Sequence, residues 1–481
     1  MKNYLSIYFL TGQICVLLIA GCASVPKTQV KNEQRIPVKF SDGKTDTTNS
    51  FSLPVHDYFS DEHLVKLIDT ALKNNQDVLS ALQRVEVAEN AFRLNRAVLL
   101  PSVNGSVSAG VEKYGDYTQN GVGNYDTNFS PNLNSNQLIP NPVPDYFIGF
   151  RSDWEIDLWG KLRNRKKATY ARFLASKNGY RMITTSLVAQ IATHYYELLH
   201  LDNELAVIRK NIKLQRNAAE LMVIQKAGGR ATELAVQQFY AQLYRTESLE
   251  GEVLQRRVDL VNNLLFLQGK FRGTIERDTS IIAQEMPRAL NNGVPTQLLL
   301  NRPDVRAAEL ELQAMNADIR AARAAFLPSL TLTPYVGLNA FRSALLFNPG
   351  SFAYGILGGL SAPIFNQRRL KTDFRITVAE ANQRLFEYQK SILNAFLEVE
   401  SSLNGMGNFR NAFNKKQQEV DALRKALSVA NDLYLVGRAT YLEVITAQRS
   451  VLDAELELAG TKRNIYLNSI NMYRALGGGW H

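Results

Sequence analysis

Cysteine is nearly absent from these 481 residues: only Cys15 and Cys22 occur, both near the amino terminus. A disulfide framework or a cysteine-based metal site is thereby excluded from the rest of the chain. Histidine is also scarce, at five. His194 and His200 are six apart, which places them on different faces of a helix and argues against metal ligation. No Gly-x-Ser-x-Gly, phosphate loop or zinc helix is found, so neither an enzyme nor a cofactor is expected. Two segments, about Leu162 to Gln225 and about Leu370 to Val436, lack proline and have very little glycine. At 1.5 Å per residue, each would be roughly 100 Å long as a continuous helix, far longer than a globular core needs. There is no strong charge of one sign either: 55 basic residues face 45 acidic ones, interspersed along helical stretches. That pattern fits a solvated helical surface better than nucleic-acid binding. With 45% hydrophobic and 21% charged residues, disorder is excluded and the length suits one large domain or two to three ordinary ones.

Residues 1–21 read as a signal peptide. Lys2 supplies a thin positive start, and Tyr4 to Ala20 is mostly apolar but too short to span a bilayer as a mature helix. The stretch ends Leu18-Ile19-Ala20-Gly21-Cys22. This resembles the bacterial lipobox, in which small residues before a cysteine let a peptidase cut once the thiol carries diacylglycerol. Cys22 is the expected lipidation site; an ordinary signal with a chance cysteine is the alternative. Cys15 would be removed, leaving one thiol as an anchor. Ala23 follows it; the resemblance to bacterial lipoproteins implies that an aspartate there would favour retention in the inner membrane, so outer-membrane sorting of a Gram-negative cell is expected. Residues 22–60 read as a polar tether.

Two copies of one unit follow, expected over 61–270 and 299–481 with a connecting segment at 271–298. An offset of 227 carries Asn74, Asp77, Val78, Ala81, Arg93, Arg96, Ala97, Leu100, Pro101 and Ser102 onto identical residues from Asn301 to Ser329 without a gap. Further on, an offset of 208 carries Gly229-Arg230-Ala231-Thr232 onto Gly437-Arg438-Ala439-Thr440. Each copy reads as helix, strand, loop, strand, long helix, glycine turn, helix. The opening helices (Asp77 to Leu100, Asp304 to Leu327) stop at Leu-Pro-Ser because proline cannot continue a helix. Pro303 and Asp304 suit a first helical turn.

Strands are expected near 102–113, 145–158, 329–341 and 352–364. From Tyr146 to Leu158 the even positions are mostly apolar, while odd ones include Arg151, Asp153, Glu155 and Asp157. Period two with charge on one side describes a strand between a polar and an apolar phase. Trp154 and Trp159 suit a membrane interface. A half-exposed sheet of a soluble domain is the other reading. The Asn-, Gly- and Pro-rich stretch Gly115 to Pro144 and the short Phe347-Asn348-Pro349-Gly350 region read as surface loops, or as binding loops with their own specificity. Within the first long segment, apolar residues from Ile183 to Met222 recur every three or four positions, a seam for packing on a neighbour. Read alone, these helices would also suit a dimeric coiled-coil scaffold.

Four strands cannot close a membrane barrel, since the smallest bacterial ones need eight and an open edge in lipid leaves backbone groups unpaired. Three chains would supply about twelve strands around a water-filled lumen, with Arg151, Asp153, Glu155 and Asp157 facing it. The run from Gly293 to Glu309, which includes Asn301-Arg302-Pro303-Asp304-Val305, resembles the motif preceding the second repeat of TolC-like outer-membrane factors, especially the lipidated NodT-type branch. Asp157-Leu158-Trp159-Gly160-Lys161-Leu162-Arg163 and the ending Ala475-Leu476-Gly477-Gly478-Gly479-Trp480 resemble the same branch. The resemblance implies a mixed α and β membrane protein: a homotrimer with a twelve-stranded β-barrel continued by an α-helical coiled-coil periplasmic tunnel. It also implies a periplasmic adaptor (membrane fusion) protein and a proton-driven inner-membrane transporter as partners, outer-membrane lipids around the barrel, and no catalysis. Gly229, Arg230, Ala231, Thr232, Gly437, Arg438, Ala439 and Thr440 become the adaptor-docking tips. Relatives often carry an acid just after the second glycine, whereas Arg438 and Ala439 stand here and Asp432 comes earlier. Export of drugs or other small molecules is expected. The alternatives are an exit duct for metal ions or type I protein secretion, and, in another class, a lipid-anchored structural coiled coil. The basic runs from Lys161 to Lys167 and from Arg368 to Arg375 could meet anionic headgroups or simply begin solvated helices.

Overall fold

The computed structural model describes residues 37, 55–277, 280–284, 300 and 302–478. The signal segment, Cys22 and most of the tether lie outside the described residues, as does the run from Gly293 to Asn301 apart from Leu300. Element order is α1 (Val55–Tyr58), α2 (Glu62–Asn74), α3 (Gln76–Ala97), β1 (Ser102–Glu112), α4 (Gln119–Thr127), β2 (Val143–Ile156), α5 (Lys161–Ala227), α6 (Glu233–Leu267), α7 (Pro303–Ala324), β3 (Ser329–Ala340), β4 (Phe352–Ser361), α8 (Arg369–Leu435) and α9 (Tyr441–Ala475). The chain divides into two compact units. One holds the sheet, residues 88–173 and 311–385; the other is helical and takes the remaining described positions from 55 onward.

In the first unit the four strands form one antiparallel sheet in the order β1-β2-β3-β4. Both flanking helices stop where proline forbids them. Trp154 donates its indole N–H to Leu99 O at 3.1 Å, and Trp159 donates to Pro328 O at 2.7 Å, so each tryptophan holds the chain where it changes from helix to strand. Ala168 and Ala171 of α5 pack on Ala314 and Ala317 of α7, small residues that let two backbones approach.

The helices α5 and α8, whose residues divide between the two units, are each 67 residues long, and α6 and α9 of the helical unit each 35. Of the seam read from Ile183 to Met222, the residues from Leu187 onward are buried and Ile183 is half-buried. The helical unit's largest cluster combines Leu64 and Ile68 of α2, Ile191, Tyr195 and Leu199 of α5, Leu264 of α6 and Ile470 of α9. Tyrosine pairs stack in it: Tyr58 on Tyr473 at 4.1 Å and Tyr196 on Tyr466 at 4.3 Å. The Tyr195 hydroxyl donates to Asp61 at 2.6 Å.

Two elements depart from the expectation. The end of the polar tether is structured, since Val55 and Phe59 are one turn apart and both buried. In addition α2 precedes the opening helix. Asp61 caps it by accepting from the His63 and Leu64 N–H groups, which satisfies two of the four free donors at a helix start.

Candidate functional site

Strand register divides the sheet into two chemical faces. Pairing of Val103 with Ser152, Val107 with Ile148, Ile148 with Leu338, and Leu338 with Phe352 carries one face across all four strands. By the period of two, that face carries Val103, Val107, Val111, Ile148, Phe150, Trp154, Leu330, Leu332, Val336, Phe352, Tyr354, Ile356 and Leu360. Much of it is bare: Val107 is 78% exposed, Tyr354 76% and Ile356 71%. The other face starts from Ser102, Asn104, Ser106 and Ser108 of β1. These stand opposite Asp153, Arg151, Gly149 and Phe147 of β2, and Thr331, Tyr335 and Asn339 of β3 continue it. Arg151, Asp153 and Glu155 therefore share the polar face.

Asp157 does not belong to that set. β2 ends at Ile156, and Asp157 turns to the start of α5, where its carboxylate accepts from the Leu162 and Arg163 N–H groups at 3.1 and 2.8 Å and from Arg163 Nε at 3.1 Å. The cause is electrostatic, because a carboxylate at a helix start meets free N–H groups and the positive end of the dipole. Glu155 is ion-paired with Lys161, so the two leading cations of the basic run are engaged within the chain.

The polar face also holds a residue that a simple alternation of charge and apolar bulk does not flag. Phe147 is 3% exposed. Its ring lies over the facing pair Gly149 and Gly337, where an added Cβ would come within 3.0 Å of the ring and within 2.5 Å of the opposite strand's backbone. Arg151 sits 4.5 Å above the same ring, a cation–π contact, and Tyr335 meets it edge-on at 6.1 Å. The signal for Phe147 is register: two glycines brought face to face leave room that an aromatic side chain fills.

The two helix reversals share one construction. Gly229 and Gly437 have φ of 73 and 72°, the left-handed conformation that ends a helix. At the first turn Gly229 N–H donates to Lys226 O and Arg230 N–H to Gln225 O. At the second Gly437 donates to Tyr434 O and Arg438 to Leu433 O. Thr232 caps α6 by accepting from Ala235 N–H, and Thr440 begins α9 with its N–H and hydroxyl both donated to Glu443. Lys226 pairs with Glu233 and holds that carboxyl below the usual range, helped by Gln237. The turns also touch each other. Tyr434 donates to the Gln225 side chain at 2.5 Å, and Ala231, Tyr434 and Tyr441 pack on Met222, Val236 and Phe239. Arg230, Arg438 and Asp432 are exposed.

A family model described as outer membrane efflux protein matches residues 67–270 and 294–478. The chain belongs to that family. Among its relatives, the probable outer membrane lipoprotein SilC of Salmonella typhimurium is 28% identical over 97% of each chain. The toluene efflux pump outer membrane protein TtgI of Pseudomonas putida is 29% identical, again over 97% of each. Among solved structures, CusC, whose namesake in Escherichia coli is a cation efflux system protein, aligns with a TM-score of 0.80 and 26% identity over 95% of this chain and 100% of that one. This chain is thus an efflux protein of the outer membrane.

The Arg302-Pro303-Asp304 stretch, part of the run that resembles the family motif, has a structural use in this efflux protein. Pro303 begins α7. Arg302, buried, donates Nη1 to Ala475 O at 2.8 Å, Nε and Nη2 to the two Asp304 oxygens at 3.0 and 2.8 Å, and Nη2 to Glu398 at 2.9 Å. It thus ties the carbonyl end of α9 to the start of α7 and to α8. In the first copy Asn75 does the corresponding job. Its Nδ2 donates to Leu267 O, and its Oδ1 accepts from the Asp77 and Val78 N–H groups.

Proposed function

We propose that three copies of this chain close their sheets into one twelve-stranded barrel and that a tripartite pump exports small molecules through the resulting tunnel. The observation that carries the reading is the sheet itself, which has a bare apolar face, a polar face, and unpaired edges at β1 and β4. In lipid an unpaired edge leaves several backbone donors and acceptors without partners. Pairing β1 of one copy with β4 of the next removes both edges, turns the apolar face to lipid, and lines a water-filled lumen with Arg151, Asp153 and Glu155. The cargo is not named by likeness: relatives named for solvent, toluene and cation efflux are 29, 29 and 27% identical to this chain, so similarity does not separate them.

The partners are a periplasmic adaptor, which meets the turns at Gly229–Thr232 and Gly437–Thr440, and a proton-driven inner-membrane transporter. Cys22 anchors the chain through lipid. Purified protein should migrate as a trimer after crosslinking and conduct in planar bilayers once the periplasmic end is opened; a monomer that never conducts would refute the barrel. Bulky substitutions at Gly437 and Ala439 should leave the trimer intact while abolishing adaptor crosslinking and drug resistance. Normal crosslinking in such variants would remove the docking assignment. Cys22→Ser should abolish palmitate labelling, and equal labelling of both chains would exclude lipidation there.

A further inference from the structure

Where β2, β3 and β4 meet their helices, the chain leaves a cavity of about 490 Å³, a size typical of small-molecule sites. Three of its lining residues, Glu155, Ser329 and Ser361, belong to the polar face; Ser329 and Ser361 are register partners, and Glu155 stands opposite Thr331. Trp159 lines it too. Its indole N–H is already committed to Pro328 O, so what it offers a ligand is its ring.

Charge at the cavity is unevenly satisfied. Both acids are occupied, Glu155 by Lys161 and Asp157 by Arg163 and two backbone N–H groups. The cations Arg165 and Arg369 are not. Arg165 has no ion pair among the described residues, and Arg369 reaches only Asp373 on its own helix, at 4.0 Å with both side chains exposed. Arg369 follows Gln367 and Arg368, two non-glycine residues with φ of 52 and 66°. Left-handed backbone is uncommon for such residues and gathers at binding sites.

We propose that this cavity is a stopping point on the export path for anionic, ring-bearing small molecules, such as aromatic carboxylates or sulfonates. Arg165 and Arg369 hold the anion and Trp159 stacks on the ring. Guanidinium groups pair two N–H donors with two oxygens of a carboxylate or of a tetrahedral oxyanion, and an indole face takes an aromatic ring in an offset stack. The inference rests on the reading that the polar face lines the duct. A phospholipid headgroup offers the same anion and Ile156 of the apolar face also lines the cavity, but the polar face contributes three side chains, Glu155, Ser329 and Ser361, which favours a ligand without acyl chains.

The test uses the full-length trimer in nanodiscs of zwitterionic lipid, with 2-naphthoate as the probe and equilibrium dialysis as the readout. Saturable binding is expected, weakened tenfold or more in Arg165→Gln/Arg369→Gln and also weakened in Trp159→Leu. Trp159→Phe should restore most of it. Binding of the neutral probe 2-naphthylmethanol should be unaffected by the arginine changes. Equal naphthoate binding by wild type and the double variant, with heat-stable trimer in both, would overturn the proposal. So would an arginine-dependent retention of phosphatidylglycerol with no effect on naphthoate, which would make the cavity a lipid site. Failure of the channel reading itself shows separately, as absence of conductance in planar bilayers whatever the probe does.

Discussion

Replacing Arg302 with methionine keeps most of the buried aliphatic stem and deletes the guanidinium. Four hydrogen bonds go with it: one to Ala475 O, two to Asp304 and one to Glu398. Burial works against the charge of Arg302, but Asp304 and Glu398 outweigh it and raise its pKa. Removing one partner of a fully buried pair costs about 3–5 kcal/mol. Here the acids left behind are better placed than that. Asp304 is 30% exposed and still accepts from Val305 N–H, and Glu398 is 35% exposed and keeps Arg474 at 3.2 Å. Much of their loss is returned by water, while Ala475 O loses a charged donor at the end of a helix. A net loss of about 2 kcal/mol per chain follows, roughly a 30-fold change in an equilibrium constant. Arg302→Lys keeps the charge but cannot reproduce the fork, so it should fall between. Urea denaturation of the purified protein, followed by tryptophan fluorescence, measures this directly, with Arg474→Met as the exposed comparison. If Arg302→Met unfolds within about 0.5 kcal/mol of wild type, or no earlier than Arg474→Met, the clamp is not a determinant of stability and the reasoning fails.

Other outcomes follow from single contacts. Burial, together with Arg463 and Arg256 and against Glu197, lowers the His200 pKa from 6.5 to about 4; the folded chain therefore binds fewer protons than the unfolded one in that window, and stability should fall as pH drops from 6.5 toward 4, by on the order of 3 kcal/mol. His200→Leu should flatten that part of the pH–stability curve, and an unchanged slope would refute the assignment. Phe147→Ala should uncover the Gly149 and Gly337 backbones and cost about 3 kcal/mol, read as a lower dissociation temperature of the oligomer on gels; no change would mean that the ring does not brace the sheet. An added Cβ at Gly437 meets nothing within 4 Å, so Gly437→Ala should cost only its backbone strain, about 1 kcal/mol, and Gly437→Asn less. Hydrogen exchange across 433–441 would show it, and a larger loss for Asn than for Ala would contradict the left-handed turn.

What a sequence makes legible is identity at fixed spacing and periodicity. The offset of 208 picks out Gly229 and Gly437 because both turns need the same backbone conformation and only glycine adopts it freely. The same offset joins Gly269 and Gly477, which end α6 and α9 with φ of 67 and 83°. The clamps at the far ends of those helices escape such matching. Asn75 and Arg302 stand 227 apart and reach Leu267 and Ala475, which stand 208 apart. The contact recurs while the residue does not, because a short amide and a long guanidinium reach a helix-terminal carbonyl equally well.

Periodicity has a complementary blind spot, which Asp157 shows. The alternation that runs through Trp154, Glu155 and Ile156 continues unbroken into Asp157 and Leu158, so nothing in the pattern marks the end of the strand. What ends it is the demand of the next element. Gly160, at φ 78°, turns the chain into α5, whose first N–H groups have no backbone acceptors, and Asp157 is the nearest carboxylate that can supply them. A strand face predicts where side chains point only while ladder hydrogen bonding persists. The residue just past that limit is claimed by whichever neighbour has the larger unmet need, here a helix start. The polar face read from four acids and bases therefore keeps Arg151, Asp153 and Glu155, whose ladder partners are intact or adjacent to intact pairs, and gives up the fourth to the helix start.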